Sequence, residues 1–173
     1  IMIYNIPSRC GVSIEPITVA NLYNNFDNIK AIKEASGSIQ QTMEIIQLCQ
    51  INIFSGDDAL LLPLMSVGAK GVVSVASNII PNEINNIIKL FNNGNIKEAI
   101  DINNKLFPFL KSLFVDTNPI PIKYYANKLG MVTENTVRLP LVVTTNKNIL
   151  DEMDKIFDIY LCDSQANIKL IYS

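Results

Sequence analysis

Ile29-Lys30-Ala31-Ile32-Lys33-Glu34-Ala35-Ser36-Gly37 is an apolar, partly β-branched run that closes on Ser-Gly, and it reads as a β-strand. Strand alternation places Ile29, Ala31, Lys33 and Ala35 on one face. Lys33 then stands among small apolar residues instead of among other charges. Desolvation disfavours an ammonium, so a lysine in that setting can offer a neutral amine to a carbonyl carbon. The same run also fits a strand-end lysine that snorkels its ammonium to solvent. The surrounding sequence has to choose between the two.

Working outward, the run is one of four strand–loop–helix units. Ile1 to Asn5 reads as a buried strand, as if a sheet were entered partway, and Pro7 to Gly11 as the loop that ends it. A short helix follows from Pro16, proline being suited to a first helical position. After the Lys33 strand, Ser38 is placed to cap a helix over the Ile39-to-Ile46 stretch. Ile51 to Ser55 is the third strand, closed by Gly56-Asp57-Asp58, and the next helix covers Ala59 to Val67 before Gly68 stops it. Gly71 to Val75 is the fourth strand, and Pro81 to Phe91 the helix behind it. Units of roughly 20–30 residues with apolar strands predict a parallel α/β fold with helices covering the sheet. Tyr4, Arg9, Lys33, Ser55, Asp57, Ser74 and Asn78 all fall at or just beyond strand C-termini, the edge where such folds bind ligands.

Beyond Gly94 the pattern is helical only, with helices expected over Ile96 to Phe114, Pro121 to Gly130 and Asn148 to Tyr160. No linker separates them from the α/β part. Cys162 to Ser173 has no clear pattern.

Composition narrows the function classes. Nearly half of the 173 residues are apolar and 17% are charged, which predicts a folded chain with a sizeable core. A net charge of −2 without a basic tract gives no footprint for nucleic acid. No apolar run approaches the ~18 residues of a membrane span, and no basic-then-apolar leader is seen. Cys10, Cys49 and Cys162 are scattered, so free thiols in a reducing cytoplasm are expected. The sequence has no histidine, which excludes a histidine-based triad and argues against zinc.

Five motifs in register then carry a resemblance: Tyr4-Asn5-Ile6-Pro7-Ser8-Arg9-Cys10-Gly11, Lys33-Glu34-Ala35-Ser36-Gly37, Ser55-Gly56-Asp57-Asp58, Gly71-Val72-Val73-Ser74-Val75 and Asn118-Pro119-Ile120-Pro121-Ile122-Lys123. Gly130 followed by Arg138-Leu139-Pro140 continues them. In order and spacing the chain resembles the dihydrodipicolinate synthase family, also called 4-hydroxy-tetrahydrodipicolinate synthase, from Ile1 to about Leu141 and more weakly through the last helix.

The resemblance implies the second half of a (β/α)8 TIM barrel, strands five to eight, over residues 1–94. A C-terminal helical region over 95–163 and a tail of uncertain structure over 164–173 complete this division. It implies a class I lyase that condenses pyruvate, held as a lysine Schiff base, with aspartate semialdehyde in lysine biosynthesis. Lys33 matches the Schiff-base lysine and Tyr4 the tyrosine that shuttles protons. Arg9 matches the arginine that binds the carboxylate of aspartate semialdehyde, a suitable task for a bidentate fork. Gly56 and Val73 line the pyruvate pocket by the same analogy. Asp57 and Asp58 are expected to cap the following helix. No cofactor and no metal are expected, and the partners implied are further copies of the chain, as a family homotetramer, or a complementing N-terminal half.

Cys10 departs from the usual threonine of the family. Strands one to four have no counterpart in the sequence, and with them go a threonine pair of the proton relay, a tyrosine from a neighbouring subunit and a regulatory lysine site. Two exposed sheet edges would then need partners, and 173 residues alone are not expected to turn over both substrates. Two alternatives stay open: another pyruvate-dependent aldolase of the superfamily, and a catalytically inactive product acting as an assembly partner.

Overall fold

The computed structural model describes residues 1–161. Strands β1 (Met2–Asn5), β2 (Ala31–Glu34), β3 (Asn52–Ser55) and β4 (Gly71–Val72) form one parallel sheet in the order β1-β2-β3-β4. Parallel neighbours require crossovers, and helices supply each one. Between β1 and β2 run α1 (Pro7–Cys10) and α2 (Pro16–Asn25); between β2 and β3 runs α3 (Ile39–Leu48). A 3-10 turn (Asp58–Leu60) and α4 (Leu61–Ser66) connect β3 to β4. Helices α5 (Pro81–Asn92), α6 (Ile96–Ser112), α7 (Ile120–Lys128) and α8 (Lys147–Tyr160) follow. None of the described helices is long and apolar enough to cross a membrane.

Local chemistry explains the helix starts. Ser38 Oγ accepts a hydrogen bond from the Gln41 amide at 3.1 Å, the cap its position predicts. Pro16 opens α2 at a position where its missing N–H has no partner to lose.

Register divides the sheet into rows. Ile3, Ile32 and Ile53 form one row; Ile32 and Ile53 are buried in a cluster with Val19, Ala20, Ile45, Ile51 and Leu64 from the crossovers. Each fully buried aliphatic side chain of this kind contributes about 1.5–3 kcal/mol of transfer free energy. The next row, Tyr4, Lys33 and Phe54, lies on the opposite face by alternation. The last row returns to the helix side and is polar: Asn5, Glu34 and Ser55 are each no more than 2% exposed. So the strands end in three buried polar side chains directly beyond the row that carries Lys33.

The described residues divide into two compact units, Ile1–Val75 with Asn85–Ala99, and Ala76–Ile84 with residues 100–161. In the second unit Phe109, Leu110, Leu113, Tyr125, Met153 and Phe157 are buried. Tyr125 packs on Phe109 with ring centroids 5.5 Å apart and donates to Ser112 Oγ at 2.8 Å. Burial pushes the Tyr125 hydroxyl up to about 12. Tyr124 donates to Asp154 Oδ1, and Lys128 Nζ reaches the same oxygen at 2.6 Å, tying α7 to α8. Lys128 and Tyr124 hold the Asp154 carboxyl below its ordinary range, while burial and then Asp154 itself raise the Tyr124 hydroxyl.

Three readings of local structure change. Pro7 to Cys10, expected as loop, is the helical turn α1, ended by Gly11 at φ 71, a left-handed conformation that suits glycine. The fourth strand stops at Val72 instead of Val75, because the Val75 amide goes to a side chain and not to a strand. The helix expected from Ala59 begins as a 3-10 turn at Asp58 and is α-helical only from Leu61. The unpatterned segment from Cys162 lies outside the described residues.

Candidate active site

The site is assembled at the C-terminal ends of β1, β2 and β3. Tyr4 and Lys33 are register partners on adjacent strands. Lys33 Nζ stands 4.2 Å from the centroid of the Tyr4 ring, within cation–π range. The Tyr4 ring therefore lies under the amine, on the same sheet face. Tyr4 is 45% exposed and Lys33 intermediate, so a small ligand can reach both.

Gly56 is the residue that lets the lysine lie as it does. A Cβ at position 56 would fall 3.1 Å from Lys33 Cε and 2.5 Å from Ala35 Cβ, the second closer than such atoms approach. The Gly56 amide also donates to the Glu34 carbonyl at 2.7 Å, drawing the β3 loop against the end of β2. Backbone and missing side chain act together here: the loop crosses the lysine stem only because it has no Cβ.

Val73 lies just past β4, where its amide donates to the Ser55 carbonyl at 2.8 Å and continues the pairing by one bond. Ser55 Oγ in turn donates to the Asp57 carbonyl at 2.7 Å and accepts from the Asp57 amide at 3.2 Å, closing a tight turn after β3. Arg9 occupies the last turn of α1, four positions beyond the end of β1, and is exposed.

The two aspartates separate in role. Asp57 accepts from the Ala59 amide at 2.8 Å and caps the 3-10 turn as expected. Asp58 does not cap: its carboxylate, 1% exposed, accepts from Ser74 Oγ and, at 2.8 Å, from the Val75 amide. The reason is distance along the chain; a buried carboxylate binds the donors that the fold delivers, here from beyond β4. It ties the Val73 segment to the β3 loop. Among the described residues no three His, Cys, Asp or Glu side chains group as metal ligands.

Sequence reasoning passed over Asn5 and Glu34. Asn5 Nδ2 donates to Glu34 Oε2 at 2.9 Å, Asn5 Oδ1 accepts from the Ile14 amide at 3.1 Å, and Glu34 Oε1 accepts from the Ser36 amide at 2.7 Å. The available signal was a polar residue ending each apolar strand, one position after Tyr4 and after Lys33.

Chemically, the arrangement offers an amine, a neighbouring phenol and a guanidinium on the loop beyond. That set can form an imine with a small ketone and hold a carboxylate.

Comparison with known proteins places the chain in a family. The dihydrodipicolinate synthetase family pattern matches residues 1–159. The chain is similar to a 4-hydroxy-tetrahydrodipicolinate synthase of Endomicrobium trichonymphae, 49% identical over 151 residues, covering 87% of this chain and 52% of that protein. The corresponding Methanococcus maripaludis protein is 46% identical over 150 residues, again covering 87% and 52%. The crystal structure of the Aquifex aeolicus dihydrodipicolinate synthase superposes with a TM-score of 0.87 at 38% identity, over 92% of this chain and 54% of that one. The α/β fold is shared, and the chain spans about half the length of the curated relatives it matches.

Proposed function

The chain belongs to the dihydrodipicolinate synthetase family, and on that premise we propose that it carries the lysine-bearing portion of a synthase joining pyruvate to aspartate semialdehyde in lysine biosynthesis. The four strands correspond in this reading to strands five to eight of a (β/α)8 barrel. The Lys33 amine attacks the keto carbon of pyruvate. The oxygen of that carbonyl takes up protons, leaves as water, and an imine remains on Nζ. Tyr4 supplies and recovers protons from its place beside the amine. Loss of a methyl proton turns the imine into an enamine, whose carbon bonds to the aldehyde of the second substrate. Arg9 holds that substrate's carboxylate. Gly56 and Val73 bound the pyruvate side, Gly56 by leaving room and Val73 through its backbone.

The observation that carries this reading is the pairing of Lys33 with Tyr4 across β1 and β2, with Nζ 4.2 Å over the ring and the lysine stem passing a glycine. Among the described residues β1 pairs only with β2 and β4 only with β3.

The test is borohydride reduction in the presence of pyruvate, followed by peptide mapping. A reduced pyruvate adduct on Lys33 is expected, and unlabelled Lys33 in folded protein overturns the reading. Binding of aspartate semialdehyde, compared with other aldehydes, to the chain carrying the reduced pyruvate adduct then separates the synthase from an aldolase of other aldehydes. The 173-residue chain alone is expected to form the imine without completing turnover.

A further inference from the structure

We propose that Asn5 and Glu34 are positioning residues that clasp the Arg9 loop to β2, so that capture of the carboxylate-bearing aldehyde depends on them while imine formation at Lys33 does not. The substrate part rests on the reading above.

The two side chains are register partners, 1% and 2% exposed, on the face opposite Tyr4 and Lys33. Asn5 begins the loop and Ile14 ends it, and the Ile14 amide donates to Asn5 Oδ1 at 3.1 Å across nine positions of sequence. The Ile14 carbonyl is held separately by Gln41 Nε2 at 2.9 Å. Arg9 sits within this closed loop, on α1. Glu34 then fixes the closure to the sheet by accepting from Asn5 Nδ2 at 2.9 Å. Lys33, in contrast, is held by parallel pairing to β1 on one side and β3 on the other. Slack in the clasp therefore displaces Arg9 and leaves the lysine in place.

The network is directional. The Ile14 and Ser36 amides can only donate, so Asn5 must turn Oδ1 to the first and Glu34 must turn Oε1 to the second. Between them Asn5 Nδ2 meets Glu34 Oε2, a position that only an acceptor satisfies. Glu34→Gln sets an amide against an amide, and flipping Asn5 to relieve this breaks the Ile14 bond. Combining Asn5→Asp with Glu34→Gln reverses the central bond and keeps the Ile14 and Ser36 bonds, with unchanged size and net charge; the long 3.5 Å bond that Asn5 Nδ2 donates to Ser13 Oγ is the one not reproduced.

The experiment uses the full chain with pyruvate reduced onto Lys33, which blocks that amine, and succinate semialdehyde as the probe in calorimetry. Asn5→Ala and Glu34→Gln are expected to weaken the probe about tenfold, the effect of one lost buried hydrogen bond. Pyruvate trapping should stay within about twofold, and N5D/E34Q should recover the affinity. Hydrogen exchange of the amides from Ile6 to Ile14 should rise in the single variants and return in the pair. Wild-type affinity in both single variants, or no recovery in the pair, overturns the proposal. Absence of a pyruvate adduct in the wild type overturns the underlying reading and the substrate role with it; unchanged exchange in both single variants then overturns the clasp itself.

Discussion

Lys33 Nζ lies 4.2 Å above the ring centroid of Tyr4, its register partner on the adjacent strand. The strand pairing thus brings the Tyr4 ring, and with it a phenol, to the face that carries the Lys33 amine. The two parts of the tyrosine can be separated. Tyr4→Phe keeps the ring, so stability should change by less than ~1 kcal/mol. Imine formation should slow by about 10²-fold, the lower end of general acid–base contributions. Borohydride trapping followed against time measures the rate, with Lys33→Ala as the variant in which no adduct forms at that position. Unaltered trapping in Tyr4→Phe would remove the tyrosine from the proton path.

Gly56 gives a second handle on the same amine. Its missing Cβ would lie 2.5 Å from Ala35 Cβ and 3.1 Å from Lys33 Cε, so Gly56→Ala must push the β3 loop away or bend the lysine stem. Overpacking of this kind costs about 1–3 kcal/mol. A lower urea midpoint together with slower trapping at Lys33 is expected. A lower midpoint with full-speed trapping would mean that the loop moves and the lysine does not.

The sheet and most crossovers were legible because they rest on local pattern. Apolar strands end in polar residues, Pro16 and Ser38 mark helix starts, and Gly68 marks a stop. The face that carries Lys33 was legible for the same reason, since parity put it with Ala31 and Ala35, while the role of the lysine came only from the resemblance. What escaped was long-range. Asp58 reads locally as a cap, yet its carboxylate is taken by Ser74 and Val75, whose arrival depends on the β3–β4 crossover. The same contact shortens β4. Asn5 and Glu34 were hidden differently: each looked like the polar end of a strand, and only register reveals that they face each other. α1 does not show as a helix in the sequence because it runs only the four residues from Pro7 to Cys10 before Gly11, too few for a helical period.

Ser74→Ala tests the long-range tie directly. It removes one donor from a carboxylate that is 1% exposed and leaves the Val75 amide bond at 2.8 Å. Losing a hydrogen bond to a buried charged acceptor costs about 1–3 kcal/mol. The Val73 amide, bonded to the Ser55 carbonyl, should exchange faster in this variant, and the urea midpoint should fall. Wild-type exchange at Val73 would show that the β3–β4 pairing holds the segment without Asp58.

The α7–α8 contact should weaken at both ends of the pH scale, for opposite reasons. Asp154 is lowered below its ordinary value of 3.8, first by the Lys128 hydrogen bond and then by Tyr124. A depressed carboxyl contributes stability above its unfolded value and loses it as pH falls through the folded one, so the acid window lies below about pH 4. Tyr124 is raised above 10.0, chiefly by burial and next by its bond to Asp154. A raised phenol contributes stability below its unfolded value and loses it as pH climbs above 10.0 towards the folded one. Near-ultraviolet circular dichroism, to which Tyr124 and Tyr125 both contribute, should lose amplitude in each window. Asp154→Asn removes the charge that Lys128 faces at 2.6 Å, so this variant should lose the acid step. It should also let Tyr124 ionise at lower pH, because two of the causes raising it come from Asp154. An acid step of the same size and midpoint in Asp154→Asn would assign that transition to other carboxylates.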